Sequence, residues 1–376
     1  MGQDKVCHIT TVHPARDLRI FHKECKALKE AGYEVTLIAN DPEVGEGDID
    51  GITVRQVGVP VKSRVQRILK VARAAFRKAL EVDAELYHFH DPEFLPFAKK
   101  LIRSGKKVIY DAHEDLPRQL LSKHWVPSLL RKGLSRLVER YEDRTSEKLT
   151  AVVAATDHIR ERFAKSNEQS WSIKNYPILS ESSVTSSDPG KMGKKVCYIG
   201  SITRVRGVAE LVRALPMTEA ELDLAGDFPE EKFREELKEL EGWEQVNELG
   251  FLDREGIQNV LAEARAGLVT LHPIINYVHA LPVKLFEYME AGLPVIASDF
   301  PALVEIIDEQ ECGITVDPKD PRQIAEAIQH LLQNPEEAAR MGSNGKRAVQ
   351  EKFNWGREAE RLRRVYTKLL EKSKEA

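Results

Sequence analysis

The residues best placed to do chemistry stand close together in Leu281-Pro282-Val283-Lys284-Leu285-Phe286-Glu287-Tyr288. Pro282 suits the first position of a helix and Gly292 its end. A helix start offers unpaired N–H groups and a partial positive charge, and Lys284 adds a full charge in the first turn. That combination suits a phosphate. Glu287, about one turn further on, can accept two hydrogen bonds from vicinal hydroxyls such as those of a ribose. The same residues also fit a solvated lysine and a glutamate that pairs with a nearby arginine.

A second segment is Tyr198-Ile199-Gly200-Ser201-Ile202-Thr203-Arg204-Val205-Arg206-Gly207-Val208. It reads as a strand, a glycine turn and a basic residue before a helix. Gly200 permits close backbone approach and Arg206 sits at the helix start, both suited to a diphosphate. An ordinary strand-to-helix turn has the same composition. Three further loops mix histidine with carboxylates: His13 to Arg19, His88 to Pro92, and Asp111-Ala112-His113-Glu114-Asp115. Their spacing is not a helical HExxH and no thiolate accompanies them, so no metal ligand is assigned. A histidine that caps its own loop is the plain alternative.

These segments need elements to hold them. Val6 to Thr11, Tyr33 to Ala39, Glu85 to His90, Lys107 to Ala112 and Thr150 to Ala155 are strand-like, with helical patterns between them over Leu18 to Ala31 and Pro92 to Ser104. The polar stretch 180–192 has the composition of a linker. Alternation then restarts with strands at Lys195 to Ile199, Glu221 to Ala225, Gln245 to Leu249, Ala266 to Leu271, Pro294 to Ser298 and Gly313 to Val316. Repeated strand–helix–strand units imply parallel sheets, hence an α/β protein of two doubly wound, Rossmann-like domains. The expected domains are 1–180 and 190–354. A last helix, 355–372, shows an apolar face at Ala359, Leu362, Val365 and Leu369, and the first domain is a candidate to receive it. In such domains ligands sit outside the carboxyl ends of the strands, which is where the segments above fall.

Composition narrows the class. A chain of 376 residues exceeds one ordinary core. With 42% hydrophobic and 31% charged residues it is globular, and no apolar run reaches the ~18 residues of a membrane span. The first residues carry no basic-then-apolar signal pattern. Cys7, Cys25, Cys197 and Cys312 are scattered, so a reducing, cytoplasmic setting is expected. Residues 1–180 hold 31 Lys and Arg against 25 Asp and Glu, net +6, and the remainder 25 against 35, net −10. Lys62, Arg64, Arg67 and Lys70 belong to a run of eight basic residues without an acidic one. Val65, Ile68, Leu69, Ala72, Phe76 and Leu80 share one helical face there, and Trp125 to Arg140 forms a second basic helix. Such helices suit an anionic membrane surface, although the stripe also fits core packing. Without aromatic interleaving, nucleic acid is not expected.

The segment 281–298, with its Gly-Leu-Pro-Val-Ile-Ala-Ser strand, resembles the donor site of the family 4 retaining glycosyltransferases, which have the two-domain GT-B fold with the domains facing across a cleft. Two glutamates eight residues apart frame that segment in the family. Glu287 matches the second, which binds ribose; the first falls on His279, so the contact to the transferred sugar departs from the pattern. Gly200, Arg206 and Gly207 match the family's glycine-rich phosphate segment, while Ser201 replaces its first arginine. Gly250 and Leu252 resemble the segment whose backbone contacts the base. Asp111-Ala112-His113 resembles the family's Asp-x-His, and His113 is expected to contact the reacting sugar. Arg16, Asp17, Arg19 and His90 are expected to bind the acceptor.

The resemblance implies a sugar moved from a nucleotide-diphosphate donor to a saccharide or lipid-linked acceptor, with retention and with no metal or other cofactor. Arg206 and Lys284 would stabilise the departing diphosphate, and the leaving phosphate itself would serve as base. The rivals are a sugar-nucleotide epimerase and a catalytically silent sugar-nucleotide-binding subunit. A nicotinamide-dependent oxidoreductase is disfavoured, since no GxGxxG follows either first strand.

Overall fold

Short runs of buried β-branched and apolar residues become parallel strands, covered on both faces by helices. The computed structural model describes residues 3–61, 63, 66–122, 126–179 and 193–371. The chain divides into two units, Met1–Asn175 with Trp355–Ala376, and Tyr176–Asn354.

The first unit holds strands β1 (Lys5–Ile9), β2 (Glu34–Ala39), β3 (Gly47–Ile49), β4 (Ile52–Gln56), β5 (Leu86–Phe89), β6 (Lys107–Ala112), β7 (Ala151–Ala154) and β8 (Ser170–Ser172). Their spatial order is β3-β4-β2-β1-β5-β6-β7-β8, and only β3 runs antiparallel to its neighbour. Alternation along the strands sends Val6, Leu37, Leu86 and Ile109 into one layer and Cys7, Ile9, Tyr87 and Phe89 into the other. Helix Trp355–Glu371 packs on the first of these layers through Trp355, Leu362, Val365, Tyr366 and Leu369.

The helix after β1 starts as a π-helix, Leu18–Cys25, capped by the Asp17 carboxylate on the N–H groups of Arg19 and Ile20. It continues as an α-helix over Lys26–Glu30. The wider winding, seen in the bond from the His22 N–H to the Asp17 carbonyl, turns Arg19, Lys23 and Glu24 onto one buried face.

The basic stretch differs from its sequence reading. Val71, Ala72, Ala75 and Ala79 are buried, whereas Ile68, Leu69 and Leu80 are exposed. Small residues let the helix lie close to the sheet, so the larger ones on its flank stay outside. Arg67 is ion-paired with Glu93 at 2.7 Å and is not a free surface cation. Lys70 is exposed, while Lys62, Arg64, Val65 and Trp125 lie outside the described residues. The second basic helix spans Ser128–Ser146, later than the 125–140 read from sequence.

The second unit holds β9 (Lys195–Ile199), β10 (Glu221–Ala225), β11 (Val246–Gly250), β12 (Ala266–Val269), β13 (Val295–Ser298) and β14 (Gly313–Val316). They form one sheet in the order β11-β10-β9-β12-β13-β14. Every pairing is parallel. The chain leaves β9 toward one edge and returns at β12 toward the other, so the strand order reverses between them. Open parallel sheets bind ligands at such a reversal, outside the carboxyl ends of the strands.

Candidate active site

In the second unit, Gly200 stands directly after β9, at the reversal. Its φ of 129° lies where side chains are strained. A Cβ placed there would be 3.3 Å from Lys284 Nζ and 3.5 Å from an Arg206 guanidinium nitrogen. Both cations therefore converge on the backbone of this turn. Gly207 fixes the second half of the loop. Its φ is 73°, and a Cβ would stand 1.9 Å from the Thr270 carbonyl oxygen, so only glycine lets the Arg204–Arg206 turn dock beside the end of β12.

Lys284 lies on helix Val283–Glu290, which is tied to β9 by a bond from the Ile199 N–H to the Tyr288 hydroxyl, 2.9 Å. The lysine is buried, and its Nζ has no hydrogen-bond partner among the described residues. The ammonium rests on the Tyr198 ring, 3.6 Å from the centroid. Burial, followed by the charge of Arg206, lowers its pKa to about 7, while Glu287 pulls the other way. Arg206 is held against the hydroxyls of Tyr198 and Tyr277. Glu287 is exposed on the same helix.

An unsatisfied buried ammonium beside a guanidinium and an accessible glycine backbone forms a receptor for a compact polyanion. Ser201 is half-buried, with its carbonyl accepting from the Tyr198 hydroxyl. Gly250 has a φ of 67° and accepts a bond from the Gly226 N–H, and Leu252 is half-buried beside it. His279 is exposed.

The first unit gathers its polar loops at the carboxyl ends of β1, β5 and β6. Asp91 accepts from the Thr10 hydroxyl at 2.9 Å and the Thr11 N–H at 2.6 Å. His113 Nε2 lies 2.7 Å from the Asp111 carboxylate, and its side chain keeps 18% exposure, so one edge of the ring can meet a substrate. His13, which the sequence reading did not single out, stacks obliquely on His113 with ring centroids 5.1 Å apart. Burial opposes a charge on His13, but Asp17 and Asp91 more than offset it and raise its pKa. The signal available for His13 was its position in the polar loop that follows β1.

The expected acceptor residues divide. Arg16 is exposed and Asp17 half-buried, whereas Arg19 and His90 are interior. Arg19 makes a two-pronged bond to Asp111, 3.0 and 2.9 Å, donates to the Ile173 carbonyl at 2.9 Å, and lies 3.1 Å from Glu24. His90 Nδ1 bonds to Asp111 at 3.1 Å, with no side-chain exposure. Their polar groups are directed into the protein, which makes them positioning residues for Asp111 and, through it, His113. Burial would raise the Asp111 pKa, but Arg19 and His113 hold it well below the usual carboxylate range.

This is the two-domain GT-B fold of glycosyltransferases, and each half of the chain matches a glycosyltransferase family model. Residues 181–348 match the family Glycosyl transferases group 1, and residues 19–170 match Glycosyltransferase Family 4. The chain is 25% identical over 288 residues to MMP alpha-(1->4)-mannosyltransferase of Mycolicibacterium hassiacum, covering 72% of this chain and 67% of that protein. It is 24% identical to phosphatidyl-myo-inositol mannosyltransferase of Mycobacterium leprae, over 91% of this chain and 90% of the relative. Other curated relatives, among them spore coat protein SA of Bacillus subtilis, are spanned over about half their length. Sucrose-phosphate synthase from Thermosynechococcus elongatus shares the fold, with a TM-score of 0.76 at 19% identity over 98% of this chain and 99% of that one.

Proposed function

We propose that the protein transfers a sugar from a nucleotide-diphosphate donor to a saccharide or lipid-linked acceptor with retention at the anomeric carbon. The observation that carries the donor assignment is the convergence on the Gly200 backbone of Arg206 and the buried Lys284 ammonium, which has no hydrogen-bond partner among the described residues. Charge developing on the departing diphosphate would meet two preorganised cations in a partly desolvated site, where they act most strongly. With those cations in place, the reading calls for no metal at the diphosphate. Glu287 would clasp the ribose, and the backbone around Gly250 and Leu252 would face the base. His113, oriented by Asp111, would contact the reacting sugar, and Arg16 and Asp17 line the same loop for the acceptor.

Product analysis tests this. Incubation with a nucleotide sugar and an acceptor mixture should release nucleoside diphosphate together with a new glycoside. An isomerised nucleotide sugar would mean an epimerase, and donor binding without turnover on any acceptor would mean a silent subunit. Glu287→Ala should weaken nucleoside diphosphate binding by about 1–3 kcal/mol, roughly 5- to 150-fold, through the lost diol contact. Calorimetry reads this directly, and an unchanged affinity removes the ribose assignment.

An anionic lipid surface is the proposed partner of the first unit. Among the described residues no helix is long and apolar enough to cross a membrane. Helix Ser128–Ser146 nonetheless exposes Leu129 at 93%, Leu130 at 62% and Leu137 at 65%, close to the exposed Lys132, Arg136 and Arg140. Apolar side chains flanked by cations suit a headgroup boundary, at about 1 kcal/mol per basic residue near the surface. The protein should co-float with anionic vesicles at low salt, and Leu129→Glu with Leu130→Glu should abolish flotation. Equal recovery with and without vesicles would refute the partner.

A further inference from the structure

The first unit contains a buried cluster of which only His90 touches the groups proposed for sugar transfer. His8 on β1 and His88 on β5 are register partners on the layer beneath helix Trp355–Glu371. His90 follows on the same face, and Glu24 enters from the π-helix. All four side chains are fully or almost fully buried. One potential ligand atom from each lies within 4.8 Å of every other.

The hydrogen bonds around the cluster fix which atoms remain. His90 Nδ1 faces the ionised Asp111, 3.1 Å, and must donate to it. His90 Nε2 is then an acceptor, filled by His8 Nδ1 at 3.0 Å. His8 Nε2 consequently accepts from the Tyr366 hydroxyl at 3.0 Å, whose oxygen accepts in turn from His88 Nδ1 at 2.9 Å. The chain ends on a bare lone pair. Among the described residues His88 Nε2 is buried without a hydrogen-bond partner and neither Glu24 oxygen accepts a hydrogen bond, although Arg19 Nε lies 3.1 Å from one Glu24 oxygen and His88 Nδ1 3.9 Å from the other. A buried acceptor of this kind normally has a partner.

We propose that His8, Glu24, His88 and His90 bind a divalent transition cation, with zinc as the best fit. Three imidazoles and one carboxylate form a borderline N/O donor set. The His8–His90 nitrogen separation of 3.0 Å is close to one edge of a zinc tetrahedron, about 3.3 Å for bonds of about 2.0–2.1 Å. The other separations, none above 4.8 Å, must close toward that edge on binding. Binding requires His8 to move its proton from Nδ1 to Nε2, and the Tyr366 hydroxyl then turns its own hydrogen aside and accepts from both His8 and His88. The outer partners that orient metal-bound imidazoles are then already in place: Tyr366 for His8 and His88, and Asp111 for His90. The ion fastens the π-helix to β1 and β5, and the burial of all four side chains makes its role structural. This assignment is independent of the donor chemistry.

Tag-free protein, expressed with added zinc and dialysed against metal-free buffer, should retain about one zinc per chain by elemental analysis. Refolding in cobalt should give the visible bands of a tetrahedral site. Glu24→Gln and His88→Gln should lower the retained zinc at least tenfold, while His113→Gln should keep it. Wild-type protein that retains no zinc and stays colourless in cobalt overturns the proposal, leaving Glu24 as a neutral acid shared with Asp111. Full zinc content in soluble Glu24→Gln or His88→Gln protein overturns it equally. Where a variant does not fold, the cobalt spectrum of the wild-type chain decides, bands supporting the site and their absence refuting it.

Discussion

Lys284→Met is expected to make the ligand-free protein more stable and to remove most of its affinity for a nucleoside diphosphate. The ammonium is buried without a hydrogen-bond partner among the described residues, and its pKa falls from 10.5 to about 7. The folded chain thus binds fewer protons than the unfolded chain between about pH 7 and 10.5. Stability from this group therefore rises with pH across that window, and the penalty is complete below it. At pH 7 the penalty is on the order of 4 kcal/mol. Methionine fills a similar volume without a charge. Its melting temperature should rise by roughly 10 °C, at about 2–4 °C per kcal/mol for a unit of this size, and the alkaline gain in stability should disappear. Binding moves the other way. Loss of a charge-assisted contact to the diphosphate should cost about 1.5–3 kcal/mol, roughly 10- to 150-fold in affinity. In the wild type, affinity should fall about tenfold per pH unit above 7, with one proton taken up on binding, because the free lysine is then neutral. A variant with a lower melting temperature and an unchanged dissociation constant would contradict both halves.

Arg19→Ala is expected to be among the most destabilising substitutions in the first unit. It leaves Asp111 buried without its two-pronged partner and removes the cation beside Glu24. Breaking a buried pair in this way costs about 3–5 kcal/mol. A fall of roughly 10 °C in melting temperature follows. Arg19→Lys should restore little, since an ammonium cannot reproduce the planar fork. The outcome separates two roles. An arginine that gripped the acceptor would, when replaced, raise the acceptor KM and leave the melting temperature within about a degree. A structural arginine moves the melting temperature first.

The contrast between these two cations shows how far the amino-acid order carries. All six strands of the second unit were legible because each is a short run with apolar residues that ends at a glycine or a polar residue, although β11 at the sheet edge is only half-buried. The parallel topology then forces Gly200 and Arg206 to the carboxyl edge, so their place in the site was legible too. The depth of Lys284 was not, since it depends on Tyr198 packing beneath it. In the first unit β3, β4 and β8 escaped notice because they are short, partly exposed and near sheet edges. Arg19 resembled a loop ligand because the π-helical winding that turns it inward has no simple periodicity. The buried histidine cluster was the least legible feature. His8 and His90 are 82 residues apart and Tyr366 lies 358 from His8, so only the folded sheet and its covering helix bring them together.

A crystal structure with a nucleoside diphosphate bound decides the donor assignment. Phosphate oxygens should lie within hydrogen-bond distance of Lys284 Nζ, Arg206 and the Gly200 turn, with both ribose hydroxyls on Glu287. A nucleotide bound elsewhere in the chain, or one whose diphosphate avoids Lys284 and Arg206, would contradict it.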